Sequence, residues 1–179
     1  MKINLPENVS YNCESCARCC VLEEIDLYPA EAAELSERLG VPIRDFAYSG
    51  NYLWTLKEKE GGCTFLDGGG CSIHGFKPHV CAVYPLGFFI GLTNGSINVG
   101  LNPKSGACVR PSDNSIVFDK QKLMEMVERK IRFEASMSMK DKLPTERNSR
   151  KALERFRRLS LEEAVEILKM EEVSVIELG

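Results

Sequence analysis

Residues 13–20 read CESCARCC, and this stretch decides how the first half of the chain is built. It contains Cys13, Cys16, Cys19 and Cys20, so successive thiols are three, three and one residues apart. Two-residue spacers let a short loop turn several sulfur atoms toward one centre, as around zinc ions and iron-sulphur clusters. Because adjacent cysteine side chains point apart, we do not expect Cys19 and Cys20 to share one mononuclear ion. The stretch predicts a metal-binding loop.

Four more cysteines follow, and none lies in the last 71 residues of the chain. Glycines directly before Cys63 and Cys71 allow backbone N–H groups to approach a sulfur atom, which stabilises thiolate charge. Apolar and aromatic residues follow Cys81, suitable for shielding a metal centre from water. The candidate metal ligands are therefore all eight cysteines: Cys13, Cys16, Cys19, Cys20, Cys63, Cys71, Cys81 and Cys108.

The redox compartment of the protein decides whether its eight cysteines are expected as thiols or as disulfides. The first thirteen residues, MKINLPENVSYNC, contain no apolar segment with a small-residue cleavage site, and no run approaches the roughly 18 apolar residues of a membrane span. We therefore expect a cytoplasmic location and no membrane partner. Cytoplasmic thiols are kept reduced, so the cysteines predict metal binding or thiol chemistry before structural disulfides.

The cysteines also belong to a longer series of motifs. After CESCARCC come a helical phrase from Leu27 to Gly40, then CTFL at 63–66, CSIH at 71–74 and KPHVCAVYP at 77–85. In this order, over about residues 10 to 110, the series resembles the YkgJ-type cysteine-cluster proteins, the CxxCxxCC family of zinc- or iron-chelating domains. The chain departs from the family pattern at His74, Lys77 and Ala82, where the family usually has Tyr, Arg and Arg. The resemblance implies a metal or iron-sulphur centre without implying a reaction.

The kind of metal centre stays open between two alternatives. A set of thiolates suits both iron-sulphur clusters and zinc, but the paired CxxC motifs of a zinc ribbon are absent, and three regular steps followed by a remote cysteine are typical of ferredoxin-type ligation. We therefore favour an iron-sulphur cluster of the 4Fe-4S type, with zinc as the alternative. Eight thiolates can form two centres, or one centre with Cys20 and Cys108 supporting it or simply buried. His74 and His79 could bind the metal or donate hydrogen bonds beside it.

Three functions are compatible with such a centre. The first is electron transfer, or a redox or maturation accessory to a partner enzyme. The second is a structural zinc-binding module that mediates protein or RNA interaction. The third is a cluster-dependent methyltransferase or oxidoreductase, by analogy with the cysteine cluster of flagellin lysine methylases. No nucleotide-binding loop or radical-SAM spacing accompanies the cysteines, so we assign no catalytic residue and no cofactor beyond the metal centre.

Helices and strands are predicted from local patterns. Gly40 follows a helix expected over 29–39, and the Asn-Gly turn at 94–95 predicts a hairpin of strands 88–90 and 97–101. Short strands are expected at 52–57, 63–66 and 173–176. Asp119 is a plausible N-cap for a helix with Leu123, Val127 and Ile131 on its buried face. A second helix is expected over 148–159, and the capping box at 160–163 begins a third.

These patterns predict an α+β chain in which small cysteine-rich hairpins precede C-terminal helices. At 179 residues the chain has the length of one domain, with a cysteine-cluster region at 1–112 and a mainly helical region at 113–179 packed on it. Residues 120–158 contain thirteen basic and six acidic residues, a net charge of +7, and the remainder contains ten basic and twenty acidic residues, a net charge of −10. The basic residues from Arg147 to Arg158 could contact RNA or an acidic partner, or form a solvated helix face.

Overall fold

The computed structural model describes residues 2–12, 20–21, 24–59, 61–91, 96–101, 115–137 and 143–176. Within these residues, small sheets of short strands alternate with helices in the first half, and three longer helices complete the second. The predicted α+β class is therefore confirmed. In the described part of the chain, no helix combines the length and apolar character needed to cross a bilayer.

The first helix, α1, spans Pro29–Leu39 as predicted. It begins with a proline, whose fixed φ suits the first turn, and ends at Gly40 with φ 69°, where the glycine N–H donates to Ser36 O. A short helix α2 (Ile43–Phe46) follows.

Beside these two helices lies a three-stranded antiparallel sheet. Its strands are β3 (Asp26–Leu27), β4 (Ala47–Ser49) and β5 (Trp54–Leu56), and β5 occupies the centre. The expected strand at 52–57 is shorter than predicted, because Tyr52 has a positive φ of 66° and the strand starts only at Trp54.

The cysteine-rich segment folds as two successive hairpins of two-residue strands. β6 (Glu58–Lys59) pairs with β7 (Gly62–Cys63), and β8 (Leu66–Asp67) pairs with β9 (Gly70–Cys71). The prediction of one strand over 63–66 is wrong, because the chain turns between Cys63 and Leu66, so one hairpin ends before the next begins.

A one-turn 3-10 helix (His74–Phe76) and α3 (His79–Val83) follow the hairpins. The predicted hairpin comes next, as β10 (Leu86–Gly91) antiparallel to β11 (Ser96–Leu101). Its prediction is confirmed, while its Asn-Gly turn lies outside the described residues. The N-terminal strand β1 (Lys2–Asn4) adds to this sheet, parallel to β11.

A separate two-stranded antiparallel sheet joins distant parts of the chain. It consists of β2 (Asn8–Asn12) and β12 (Ser115–Asp119). β12 leads directly into the first long helix, so this pairing fixes where that helix begins.

The C-terminal half consists of α4 (Lys120–Ser136), α5 (Glu146–Arg158) and α6 (Leu161–Ile176). Asp119 is the N-cap of α4, as predicted, and its Oδ1 accepts the Lys122 N–H at 2.8 Å. The predicted capping box of α6 is also confirmed. The prediction of a strand at 173–176 is wrong: no glycine or proline interrupts residues 161–176, and the helix continues to Ile176.

Two buried clusters hold these elements together. The first lies among α1, α2, the β3–β5 sheet, the cysteine hairpins and α5, and the second lies among β10, β11, β12, α4 and α6. Phe133 of α4, with no exposed surface, belongs to the first cluster, where its ring stacks on Phe156 at 4.3 Å and on Tyr28 at 5.6 Å. The C-terminal helices thus form part of the core beneath the cysteine-rich segment.

Candidate metal centre

Cys63 and Cys71 occupy the same position in two copies of one small structure. Each is the last residue of its hairpin, paired with Glu58 in the first and with Leu66 in the second. The residue after each cysteine donates its N–H across the hairpin, from Thr64 to Lys57 O and from Ser72 to Phe65 O, both at 2.9 Å. The two thiols are therefore presented by equivalent backbone frames eight residues apart.

Glycines make these tight hairpins possible. Gly61 in the first turn and Gly68 and Gly69 in the second have φ values of 81°, 55° and 81°, which side chains rarely tolerate. Gly62 has another role, since a Cβ there would lie 2.8 Å from Leu66 Cδ2 and 3.4 Å from Cys20 O. The backbone of Cys20 therefore runs close against the strand that ends in Cys63.

The Cys63 thiol has a hydrogen-bond donor from the backbone. The Phe65 N–H group donates to Cys63 Sγ at 3.5 Å, two residues along the chain. Such bonds stabilise negative charge on sulfur, as a metal-bound thiolate requires. Cys20 and Cys63 also line the same narrow cleft, so the end of the CESCARCC loop meets the first hairpin.

Cys81 lies in α3, on a different element from the hairpins. His79 and Val83 are the buried residues of this short helix, while Cys81 is half-buried against the first core cluster. The first N–H group of α3 belongs to His79 and donates to Glu31 Oε1 on α1. The placement of Cys81 therefore depends on α1 as well as on its own segment.

Burial governs the ionisation of the groups beside α3. It raises the pKa of the Glu31 carboxyl to about 7, although the His79 N–H and the Arg129 guanidinium oppose this shift. Burial also lowers the pKa of the His79 imidazole to about 3, and the positive charges of Arg129 and Lys130 lower it further. His79 is therefore uncharged at neutral pH, the form in which imidazole binds metals or accepts hydrogen bonds.

A cavity of about 680 Å³ opens between α1, α4 and the segment that leads to Cys81. His74, Lys77 and Ala82 line one side, while Arg129 and Arg132 of α4 line another. The three positions that depart from the family pattern thus all face this cavity.

Four of the eight predicted ligands lie in or against the first core cluster. Cys63 belongs to this cluster, and Cys20, Cys71 and Cys81 pack against it from other parts of the chain. Among the described residues, no three His, Cys, Asp or Glu side chains are arranged to hold a metal ion. The remaining predicted ligands, Cys13, Cys16, Cys19 and Cys108, lie outside the described residues.

Comparison with known families gives a direct result for this segment. A family model described as "CxxCxxCC: Putative zinc- or iron-chelating domain" matches residues 12–109, more than half of the chain. The chain belongs to the CxxCxxCC family. Membership supports metal binding by this protein, with zinc and iron as the candidate metals. No curated protein and no solved structure matches the chain.

Two features of the site were missed from the sequence. The repeated hairpin has a signal, since GGCT at 61–64 and GGCS at 69–72 are nearly the same. The burial of Glu31 also has a sequence signal, because Glu31 is a charged residue among the apolar neighbours of PAEAAEL, on the buried face of α1. Its contact with His79, 48 residues later, has no local signal.

Proposed function

We propose that this CxxCxxCC protein carries an iron-sulphur cluster of the 4Fe-4S type. The proposed ligands come from its eight cysteines: Cys13, Cys16, Cys19, Cys20, Cys63, Cys71, Cys81 and Cys108. A bound cluster would supply one-electron chemistry, so the proposed role is electron transfer, or redox or maturation support of a partner enzyme in the cytoplasm.

The observation that supports the proposal is that cysteines from separate parts of the chain lie in or against one apolar cluster. Cys20 is the last residue of CESCARCC, Cys63 and Cys71 end the twin hairpins, and Cys81 lies in α3; Cys63 belongs to the first core cluster and the other three pack against it. Apolar surroundings and an N–H donor at sulfur, as at Cys63, both favour a cluster with bound thiolates.

Metal analysis of protein purified without oxygen tests the proposal. Iron and acid-labile sulfide in near-equal amounts, with broad visible absorption, are expected. Stoichiometric zinc with no sulfide and no colour would contradict the iron-sulphur assignment and leave metal binding intact. A chain that binds neither metal, even after reconstitution, would contradict the proposal as a whole.

The interaction role that accompanies the zinc alternative has a specific observation in its favour. On α5, five exposed basic side chains form no ion pair within the described part of the chain, whereas Arg157 bonds Glu37 at 2.5 Å. A structural zinc module could present this face to RNA phosphates or to an acidic protein. The five residues are Arg147, Arg150, Lys151, Arg155 and Arg158.

Charge reversal distinguishes this use of α5 from a merely solvated face. Arg147→Glu combined with Lys151→Glu should abolish binding to a single-stranded RNA oligonucleotide or to a polyglutamate peptide, measured by fluorescence anisotropy. Lys120→Glu combined with Lys122→Glu is the matched control on α4. Equal binding by both double variants would contradict a contact through α5.

A further inference from the structure

Helix α3, which carries Cys81, begins without a capping side chain of its own. Pro78 precedes it, so the residue at the N-cap position offers no side-chain acceptor for the N–H groups of the first turn. The His79 N–H group instead donates to the carboxylate of Glu31, which belongs to α1 and lies 48 residues earlier. An acceptor from another element thus replaces the missing local cap.

The surroundings of Glu31 show that this contact is a demanding one. Only 3% of Glu31 is exposed, and its neighbours on the buried face of α1 are apolar, among them Ala30 and Leu35. Burying a carboxyl group in such a place is unfavourable unless it is hydrogen-bonded. An apolar residue would stabilise the core better at this position. The role of the carboxyl group is therefore sought in the N–H group of His79 that it binds.

The position of α1 is itself well fixed. α1 packs along α5 and also contacts α4. The hydrogen bond that Glu31 accepts from the His79 N–H therefore ties α3 to an extensively packed part of the first core. Cys81 lies two residues after the bonded N–H, in the same turn of helix.

We infer that Glu31 is a positioning residue of the metal centre, and that its side-chain oxygen holds the first turn of α3 so that Cys81 is presented to the metal. The inference rests on the proposed use of Cys81 as a ligand. Metal–sulfur distances tolerate deviations of only a few tenths of an ångström, so the orientation of a five-residue helix strongly affects how tightly its thiolate binds.

Three variants of the full chain test this inference. Glu31→Met removes the acceptor and fills the same space with an apolar side chain, while Glu31→Gln keeps an oxygen acceptor. Glu34→Met is the control on α1, because it removes a carboxylate that bonds Arg38 and Arg129 instead of α3. The readout is the release of bound metal to excess EDTA, measured together with the Tm of each metal-free protein and hydrogen exchange at the His79 amide.

In Glu31→Met we expect roughly tenfold weaker metal retention and faster exchange of the His79 amide, without a lower Tm, because partners that orient ligands typically contribute that much to metal affinity. Glu31→Gln and Glu34→Met should retain metal within about threefold of the parent, because both leave an oxygen acceptor for the His79 N–H at position 31. Retention in Glu31→Met equal to that in Glu34→Met would overturn the inference, as would a tenfold loss in Glu31→Gln.

Two further outcomes separate this inference from its neighbours. A drop in Tm that accounts for the whole loss of metal in Glu31→Met would make Glu31 a structural residue and overturn the positioning role. A parent chain that binds no zinc or iron would overturn the proposed function, and the inference with it.

Discussion

The ionisation of Glu31 makes a quantitative prediction about stability. The carboxyl group has a pKa of about 7 in the folded protein because it is buried, against an ordinary value of 4.5. Between these values the folded state holds a proton that the unfolded state has lost. Stability from this group is therefore fully present below about pH 4.5 and is lost as the pH rises through 7.

Comparison of the parent with Glu31→Gln isolates this effect, since glutamine resembles the protonated carboxyl group and does not titrate. One pKa unit corresponds to about 1.4 kcal/mol, so the parent should lose about 2–3 kcal/mol relative to Glu31→Gln between pH 5 and pH 8. Urea unfolding of both proteins in the same metal state, at pH 5, 6, 7 and 8, measures the difference. Titrations that the two proteins share cancel.

The sign of the slope is the informative result. A parent that gains stability relative to Glu31→Gln as the pH rises would refute the reasoning. It would mean that the His79 N–H and Arg129 stabilise the carboxylate by more than burial destabilises it. A pH-independent difference would mean that the carboxyl group has its ordinary pKa in the folded protein.

The remaining predictions concern ligands, packing and metal removal. Cys81→Ser should abolish or markedly lower metal content, whereas Cys108→Ser should do so less; equal metal in Cys81→Ser and the parent would contradict its assignment as a ligand. Phe133→Ala should lower the free energy of unfolding, measured by urea titration, by about 3–5 kcal/mol, because it removes a fully buried ring that stacks on two others. A change below about 1 kcal/mol would contradict that packing. Metal removal should accelerate hydrogen exchange at 58–71 and leave 120–136 protected, and uniform loss of protection would contradict a local role for the metal.

Predictions that depend on local sequence succeeded. The ends of α1, the Asp119 cap and the capping box at Ser160 all follow from residues within four positions of one another, and each is confirmed. The hairpin of β10 and β11 was found for the same reason, since a turn sequence fixes which strands pair. Such features require no knowledge of the rest of the chain.

Predictions failed where neighbours in space decide the structure. β-branched residues at 173–176 favour a strand, but the preceding helix continues through them to Ile176. The pairing of β2 with β12 joins residues about a hundred positions apart, and the sequence of neither strand indicates that it pairs with the other. The cysteine motifs name candidate ligands, which stay predictions, and they do not reveal that α1 contacts α3.

The small size of the twin hairpins indicates how a bound metal would stabilise this fold. Each hairpin has strands of only two residues and glycines in its turn, so it buries little apolar surface, and hairpins of this size are marginal in water. α1, α5 and Phe133 provide a firm core on one side, to which Cys63 and Cys71 are held at the hairpin ends. A metal bound by these thiolates would supply the cross-links that the short strands cannot, so metal affinity would contribute directly to the folding of this segment. The same reasoning applies to Cys81: as a further ligand, on the helix whose first N–H group bonds Glu31, it would join the small hairpins to the firm core around α1.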